Sequence, residues 1–322
     1  MEFKRRRRAL IALVMVLGLL AGACGDKGST SSDSGDDDSS GSGSGTEKSE
    51  ETIRLAPQDF AESKTLTEVY GQYLKAKGYT IEIQPAKGFR EEVYPGLRDG
   101  DIDMIIDYTG SAANELDPDG TPSADSDETY DRLEAALKDE GLVAYDYSEA
   151  EDKNALVMLK SFAEENDITT ISDIKPVQDK IVLGGAADCA TRTDCLLGYQ
   201  DPGIYGITFK EFKALEYGPA LTAALDANEI QAAQYQTTAP AIETGEFVVL
   251  EDDKGLLSAD NIVPVLRGEV AVVHGEDLKA AVDELSEKLT TEDLVAWNVA
   301  TDVDKEEPAD VAEKWLEESG LL

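Results

Sequence analysis

The chain has 322 residues, and 67 Asp and Glu against 29 Lys and Arg give a formal charge of −38. Such a surplus of negative charge repels phosphate backbones and anionic lipid headgroups, which excludes nucleic acid as a partner and electrostatic adsorption to membranes. Apolar residues make up 41% of the chain, enough for a folded core, and the length beyond a non-globular start admits two α/β units.

The start reads as a sorting signal. Lys4 and the four arginines after it are followed by an apolar run, 9–23, too short to span a bilayer comfortably. Residues 1–23 therefore form an expected export signal, and Cys24, which follows within "LLAGACG", resembles a lipobox cysteine. The lipidated reading anchors the protein through Cys24 to the outer face of the cell membrane. The alternative is an ordinary secretory signal that contains a cysteine. Residues 24–51 are Ser-, Gly- and Asp-rich with almost no apolar side chains, so they cannot offset ordering entropy and read as a disordered tether.

From residue 52 strands and helices alternate. A strand is expected over 52–56. A helix follows with Leu66, Val69, Tyr70, Tyr73 and Leu74 at helical spacing, ending at Gly78. "TIEIQ" is the second strand, a short helix carrying Val93 and Leu97 closes at Gly100, and 102–106 is the third strand. This order predicts a parallel, doubly wound sheet whose ligand-facing loops are "APQDF" and "DYTGS", beyond the carboxyl ends of two strands. Asp101 and Asp103 are expected to mark the wetter face of that third strand or contacts to a helix, not acid–base chemistry.

A helix over 127–140 leads to "NALVMLKSFAEE" and a second series of elements, including "KIVLGG", "PALTAALDAN", "EIQAAQY" and "EFVVLEDD". "IVPVLR" then returns toward the first series, and three helices are expected over 277–289, 291–299 and 309–319. The chain thus leaves a first lobe (52–155 and 263–322), builds a second (156–262), and returns, which makes a hinge with a cleft. Cys189 and Cys195, with five residues between them in an exported chain, predict a local disulfide. With one histidine and no third nearby thiol, zinc is not expected.

The ordered blocks "APQDFAES", "LRDGDIDMIIDYTGSA", "TISDI", "LGGAADCATRTDC", "YGITF", "LEDDKGLLSADNIVPVLR" and "LTTEDLVAWN" resemble the substrate-binding proteins of quaternary-amine ABC transporters. Those proteins handle glycine betaine, choline, carnitine and related osmoprotectants. The resemblance covers nearly all of 52–322. It implies an α/β, type II periplasmic-binding-protein fold of two doubly wound lobes joined by a hinge. It further implies a monomeric, extracytoplasmic protein without cofactor or catalysis, which captures a small solute and delivers it to a permease.

The resemblance also assigns site residues. A quaternary ammonium donates no conventional hydrogen bond, so aromatic faces and oxygen atoms must recognise it. Tyr108 falls at a cage position of the YTG block, with Thr109 beside it and Ser111 placed to bind the solute's polar tail. Gln58 stands where Lys or Gln is usual, and Arg192 where an Arg clamps a carboxylate. Asp152 and Asn154 fall where a backbone oxygen and often a cage Tyr are offered. Asn154 and Asp260 occupy positions where fuller cages carry Tyr, and Tyr235 lies near the remaining one. The cage is thereby thinned, so a different small polar solute stands as the alternative ligand.

Other readings are weaker. Tyr205 and Tyr217 are expected to be structural, and Arg192 has Asp188 and Asp194 nearby as alternative partners. His274 has no nucleophile beside it in sequence, and abundant carboxylates alone do not make a secreted hydrolase. "DPDGTPSADSDE" has some calcium-loop character but lacks its closing ligand. A passive surface lipoprotein would not need convergent loop residues.

Overall fold

The computed structural model describes residues 51–322. The expected export signal, the lipidation site Cys24 and the tether as far as residue 50 lie outside the described residues. Among the described residues no helix is long and apolar enough to cross a membrane.

The first series runs β1 (Ile53–Leu55), α1 (Ala61–Ala76), β2 (Ile81–Ile83), α2 (Arg90–Asp99), β3 (Met104–Tyr108), α3 (Thr109–Leu116), α4 (Ser126–Asp139) and β4 (Leu142–Ala144). The second runs β5 (Asn154–Leu159), α5 (Lys160–Glu165), β6 (Val182–Gly185), α6 (Leu196–Gln200), β7 (Glu211–Ala214), α7 (Pro219–Asp226), β8 (Ala232–Gln236) and β9 (Phe247–Val249). The chain closes with β10 (Ile262–Arg267), α8 (Gly268–Ser286), α9 (Thr291–Asn298) and α10 (Pro308–Glu318).

Local chemistry explains the clearest boundaries. In α1 the stripe Leu66, Val69, Tyr70, Tyr73 and Leu74 is fully buried, as a 3.6-residue period requires of one face. Gly100 ends α2 with φ 79°, a left-handed cap that costs glycine little. The Asp125 side chain accepts the Glu128 amide at the start of α4, and Thr290 and Asp293 cap α9 reciprocally. A helix starting near 277 was expected. In the structure α8 begins at Gly268 and is interrupted at Gly275, which has φ 60° and ψ −155°.

Two five-stranded sheets result, ordered β2-β1-β3-β10-β4 and β7-β6-β8-β5-β9. Each has apolar clusters of its own. Leu55, Tyr70, Met104 and Trp297 belong to one cluster of the first sheet, and Val93, Ile105 and Val265 to another. Leu156, Ile181 and Tyr199, and separately Val157, Leu225 and Ala233, serve the second.

The parallel pairing expected of the first three strands is present, and both sheets are mixed beyond it. β1 pairs in parallel with β2 and β3, but β10 is antiparallel to β3 and β4, and β5 is antiparallel to β8 and β9. The reason is the double crossing. A strand that enters a sheet from the end where its neighbours finish must run against them, and both β5 and β10 enter from the crossing. The crossing segments pair with each other: Glu151 bridges Asn261, and the Asp152 amide donates to the Asp260 carbonyl at 3.1 Å.

β3 also differs from expectation. It runs to Tyr108 and passes directly into α3, so "DYTGS" is a strand end and a helix start, not a loop. All five residues of β3 are buried, and the polarity of Asp107 gives no stop signal because its carboxylate is satisfied internally. Asp103 is likewise not on a wet face: it is 2% exposed and holds both Arg54, at 2.7 Å, and Arg267, at 3.1 Å.

Candidate functional site

The carboxyl ends of β1 and β3 in the first sheet, and of β6, β7 and β8 in the second, bear the residues that surround the crossing. Asp107, near the end of β3, is completely buried. Its Oδ1 accepts from Gln58 Nε2 at 3.0 Å, Arg90 Nη2 at 2.6 Å and the Tyr108 amide at 2.9 Å, while Oδ2 accepts from Tyr94 Oη at 3.0 Å. A buried carboxylate with a guanidinium and three further donors is a stable charge, where an unpaired one would not be. Burial works against the Arg90 charge, but Asp107 outweighs it and raises the guanidinium pKa further.

This cluster sets the aromatic wall. Arg90 lies 5.9 Å from the centre of the Tyr108 ring. Phe60 stacks against the same ring at 6.2 Å and against Phe89 at 6.5 Å, the two phenylalanines 9° from parallel. Tyr108 itself is buried, whereas Phe89 is 52% exposed.

The Tyr108 hydroxyl donates to Glu62 Oε1 at 2.6 Å. Glu62 is the one acidic residue in the first turn of α1, and it is buried. Asn298, ending α9, donates its amide to Glu62 Oε2 and to the Thr238 carbonyl. The Thr238 hydroxyl lies 2.8 Å from Glu62 Oε2 and 2.7 Å from Asp152 Oδ1. Burial raises the pKa of both acids, and the Glu62 charge raises that of Asp152 further.

Ser111 and Asp260 are brought together: the Ser111 amide and hydroxyl donate to the Asp260 carboxyl at 2.8 and 2.6 Å. Burial pushes the Asp260 pKa up to about 7, against the opposing pull of Arg90. Thr109 serves the same seam, its Oγ1 accepting the Asn261 amide at 3.0 Å. Between them Gly110 allows close approach, because a Cβ there would lie 2.3 Å from the Ala259 carbonyl oxygen.

On the second sheet, the loop after β6 is closed by the Cys189–Cys195 disulfide, as expected. Arg192 grips Asp194 through two hydrogen bonds of 2.9 and 2.8 Å, and Asn154 donates to the same carboxylate at 3.1 Å. Asp194 is thus the partner both residues share. Tyr235 is buried, its hydroxyl 2.6 Å from Thr222 Oγ1 and its ring 5.5 Å from Tyr217. Tyr217, expected to be structural, is 45% exposed, and its phenol feels the charges of Asp152 and Glu62. Tyr205 is structural as expected, buried and bonded to Asp252.

Sequence reasoning overlooked Glu62, Arg90, Thr238, Asn298 and the Phe60–Phe89 pair. Glu62 had a legible signal. It stands four residues before Leu66 on the core-facing stripe of α1, where an ionisable side chain needs a reason. The others had none, since their meeting depends on contacts far apart in sequence. Asp117, which opens the stretch that had some calcium-loop character, is held by Arg132 at 3.0 Å. Among the described residues no group of three or more acidic, His or Cys side chains is placed to hold a metal. His274 packs edge-on against Tyr79, 5.9 Å away.

A family model described as OpuAC, "Substrate binding domain of ABC-type glycine betaine transport system", matches residues 51–318. A glycine-betaine-binding protein of Pseudomonas aeruginosa is 27% identical over 84% of this chain and 89% of its own length. An "Ergothioneine transport permease/ergothioneine binding protein EgtU" of Helicobacter pylori is 26% identical over 84% of this chain, which spans 48% of that longer protein. The crystal structure of a glycine betaine/carnitine/choline ABC transporter protein superposes with a TM-score of 0.73 at 20% identity, covering 84% of this chain and 99% of that one.

Proposed function

Because the chain belongs to the family of substrate-binding domains of ABC-type glycine betaine transport systems, we propose that it captures a quaternary-amine solute between two lobes and presents it to an ABC permease. The lobes are 52–155 with 263–322, and 156–262, and the crossing segments are their hinge. The observation that carries this reading is the convergence, around the crossing, of exposed aromatic rings from both sheets with buried acidic groups. Phe60 stacks on both Phe89 and Tyr108 on one side, Tyr217 tilts against Tyr235 on the other, and Glu62 and Asp152 act on the Tyr217 phenol. Aromatic faces backed by negative charge attract a cation that cannot hydrogen-bond.

Glycine betaine, choline and carnitine are the first solutes to test. Bound solute bridges the lobes, with Gln58, Tyr108, Thr109 and Ser111 contributed by the first and Arg192 and Tyr235 by the second. Asp152, Asn154 and Asp260 lie at the crossing between them. Closure follows from contacts that both lobes make only when shut. Arg192 is held by Asp194, so a ligand carboxylate must compete for it. That competition favours a cation with a neutral tail, and it keeps a second reading open in which a different small polar solute fills the site.

The protein acts outside the cytoplasm as a monomer, anchored through acylated Cys24, with no cofactor, nucleic-acid partner or catalytic step. A thermal-shift screen tests the ligand: a binding solute raises the melting temperature by an increment that grows as RT ln(1 + [L]/Kd), without turnover. If all three quaternary amines leave melting unchanged while an unrelated solute shifts it, the ligand class falls. Cys24→Ser should release the protein from membranes in the producing cell.

A further inference from the structure

We propose that Glu62 and Asp152 share a single proton through the Thr238 hydroxyl, and that this proton latches the two lobes together. The inference rests on the two-lobe reading above. Its geometric basis is a hydrogen count. Thr238 Oγ1 lies 2.8 Å from Glu62 Oε2 and 2.7 Å from Asp152 Oδ1, both hydrogen-bond distances for O–H···O contacts. A threonine hydroxyl carries one hydrogen. It can donate to one carboxyl, so the other short contact needs a hydrogen on the carboxyl group itself.

The remaining donors indicate where the charge sits. Glu62 accepts from the Tyr108 hydroxyl and the Asn298 amide, whereas Asp152 accepts from the Thr238 backbone amide at 3.2 Å. Glu62, with two strong donors beside Thr238, is the better-solvated anion; Asp152 then carries the proton and donates it to Thr238 Oγ1. Asn298 adds a 3.1 Å donation to the same hydroxyl oxygen. All three bridge residues are nearly sealed from water, with exposures of 4% for Glu62, 7% for Asp152 and 1% for Thr238.

The other charges facing the bridge reinforce it. Asp260, on the returning segment, acts on Asp152; Asp302, beyond α9, acts on Glu62; both are acidic. The Tyr108 and Tyr217 phenols complete the surroundings and feel the same two carboxylates. Two adjacent anions, further acids around them and no water make full ionisation costly.

The bridge also spans the join. Glu62 and Asn298 belong to helices of the first lobe, Thr238 follows β8 of the second, and Asp152 lies in the crossing between them. Opening would admit water and return each acid toward an ordinary carboxylate pKa of about 4. The closed form therefore binds one more proton than the open form. Its advantage is complete below that ordinary value and is lost as pH rises through the raised one, with the closed-to-open ratio changing up to tenfold per pH unit in that window.

Two measurements on the purified, solute-free protein test this. Infrared difference spectra at about pH 7 should show a protonated carboxyl band in the wild type that survives Asp260→Asn and disappears in Asp152→Asn or Glu62→Gln. Absence of any such band beyond the one Asp260→Asn removes overturns the shared proton. Small-angle scattering should show the wild type opening as pH rises, while Asp152→Asn, whose amide donates to Thr238 permanently, stays compact. If Asp152→Asn fails to fold, Glu62→Gln serves the same comparison. Identical pH dependence in wild type and variant overturns the latch. Solute-driven closure with no response to pH also overturns it but leaves the proposed function standing, whereas a shape constant under both overturns the hinge reading too.

Discussion

Ser111 turns its backbone amide, at 2.8 Å, and its hydroxyl, at 2.6 Å, onto the carboxyl group of Asp260. The start of α3 is thereby fastened to the segment that returns from the second sheet. Because that segment is half of the crossing, the relationship links the start of α3 to the segment proposed as a hinge.

Asp260 makes this seam pH-dependent. Its pKa is pushed up to about 7 by burial, so the native state holds a proton that the unfolded chain gives up near pH 4. The stabilisation is complete below that lower value and lost as pH climbs through about 7, a difference on the order of a few kcal/mol. Asp260→Asn should lessen the wild-type fall in stability between about pH 4 and about pH 7, read by urea melts at several pH values. Parallel curves for the two proteins would reject the assignment.

Gly110 is a packing requirement. A methyl group there would press on the Ala259 carbonyl oxygen at 2.3 Å and the Ser258 Cβ at 2.6 Å. Gly110→Ala should cost about 1–3 kcal/mol by overpacking and weaken solute binding by displacing Ser111. Calorimetric titration and denaturant melts of the same variant read both effects.

The exposed aromatic rings should separate binding from stability. Phe89→Ala and Tyr217→Ala remove half-exposed side chains, so melting should change little while affinity drops by roughly 0.5–2 kcal/mol each, about 2- to 30-fold. Tyr108→Ala is a poor test of binding, because that ring is 3% exposed and its removal cuts into the core. Tyr108→Phe is better: it deletes the donor to Glu62 and should cost about 1–3 kcal/mol of stability while keeping the ring.

The disulfide closes a short loop of six-residue separation, so the chain-entropy account assigns it roughly 2 kcal/mol. Replacing both Cys189 and Cys195 by Ser should lower stability by about that amount and free the loop that carries Arg192 and Asp194. Equal melting in oxidising and reducing buffer would show that the bridge stabilises nothing.

Asp194 should govern Arg192. Asp194→Asn weakens the two-point grip on the guanidinium and should strengthen binding of a solute with a carboxylate, such as glycine betaine, relative to choline. Titrations of both solutes against wild type and variant measure the ratio; an unchanged ratio removes Arg192 from the site.

Much of this was legible in the residue order. The amphipathic stripe of α1, the glycine stop at Gly100, the disulfide spacing and the alternation of strand and helix are short-range patterns, since each depends on neighbours within a turn or two. The site was legible in part. Gln58, Tyr108, Ser111 and Asp260 do gather near the crossing, but the contacts that position them come from residues overlooked in sequence. Asp107 read as part of a ligand-facing loop because its partners, Gln58 before α1, Arg90 and Tyr94 on α2 and the Tyr108 amide at the end of β3, come from three separate parts of the chain. Glu62 alone had left a trace, as an acid on an apolar stripe.

By itself the sequence determined the elements, their order and the family pattern, because helical period, capping and turn chemistry act locally along the chain. Tertiary structure alone decided that β10 and β5 run antiparallel to their neighbours and that Arg192 is held by Asp194. It alone also decided that Glu62, Thr238 and Asp152 meet. These outcomes depend on which chain ends enter which sheet, and on the need of every buried charge to find a partner wherever the fold brings one.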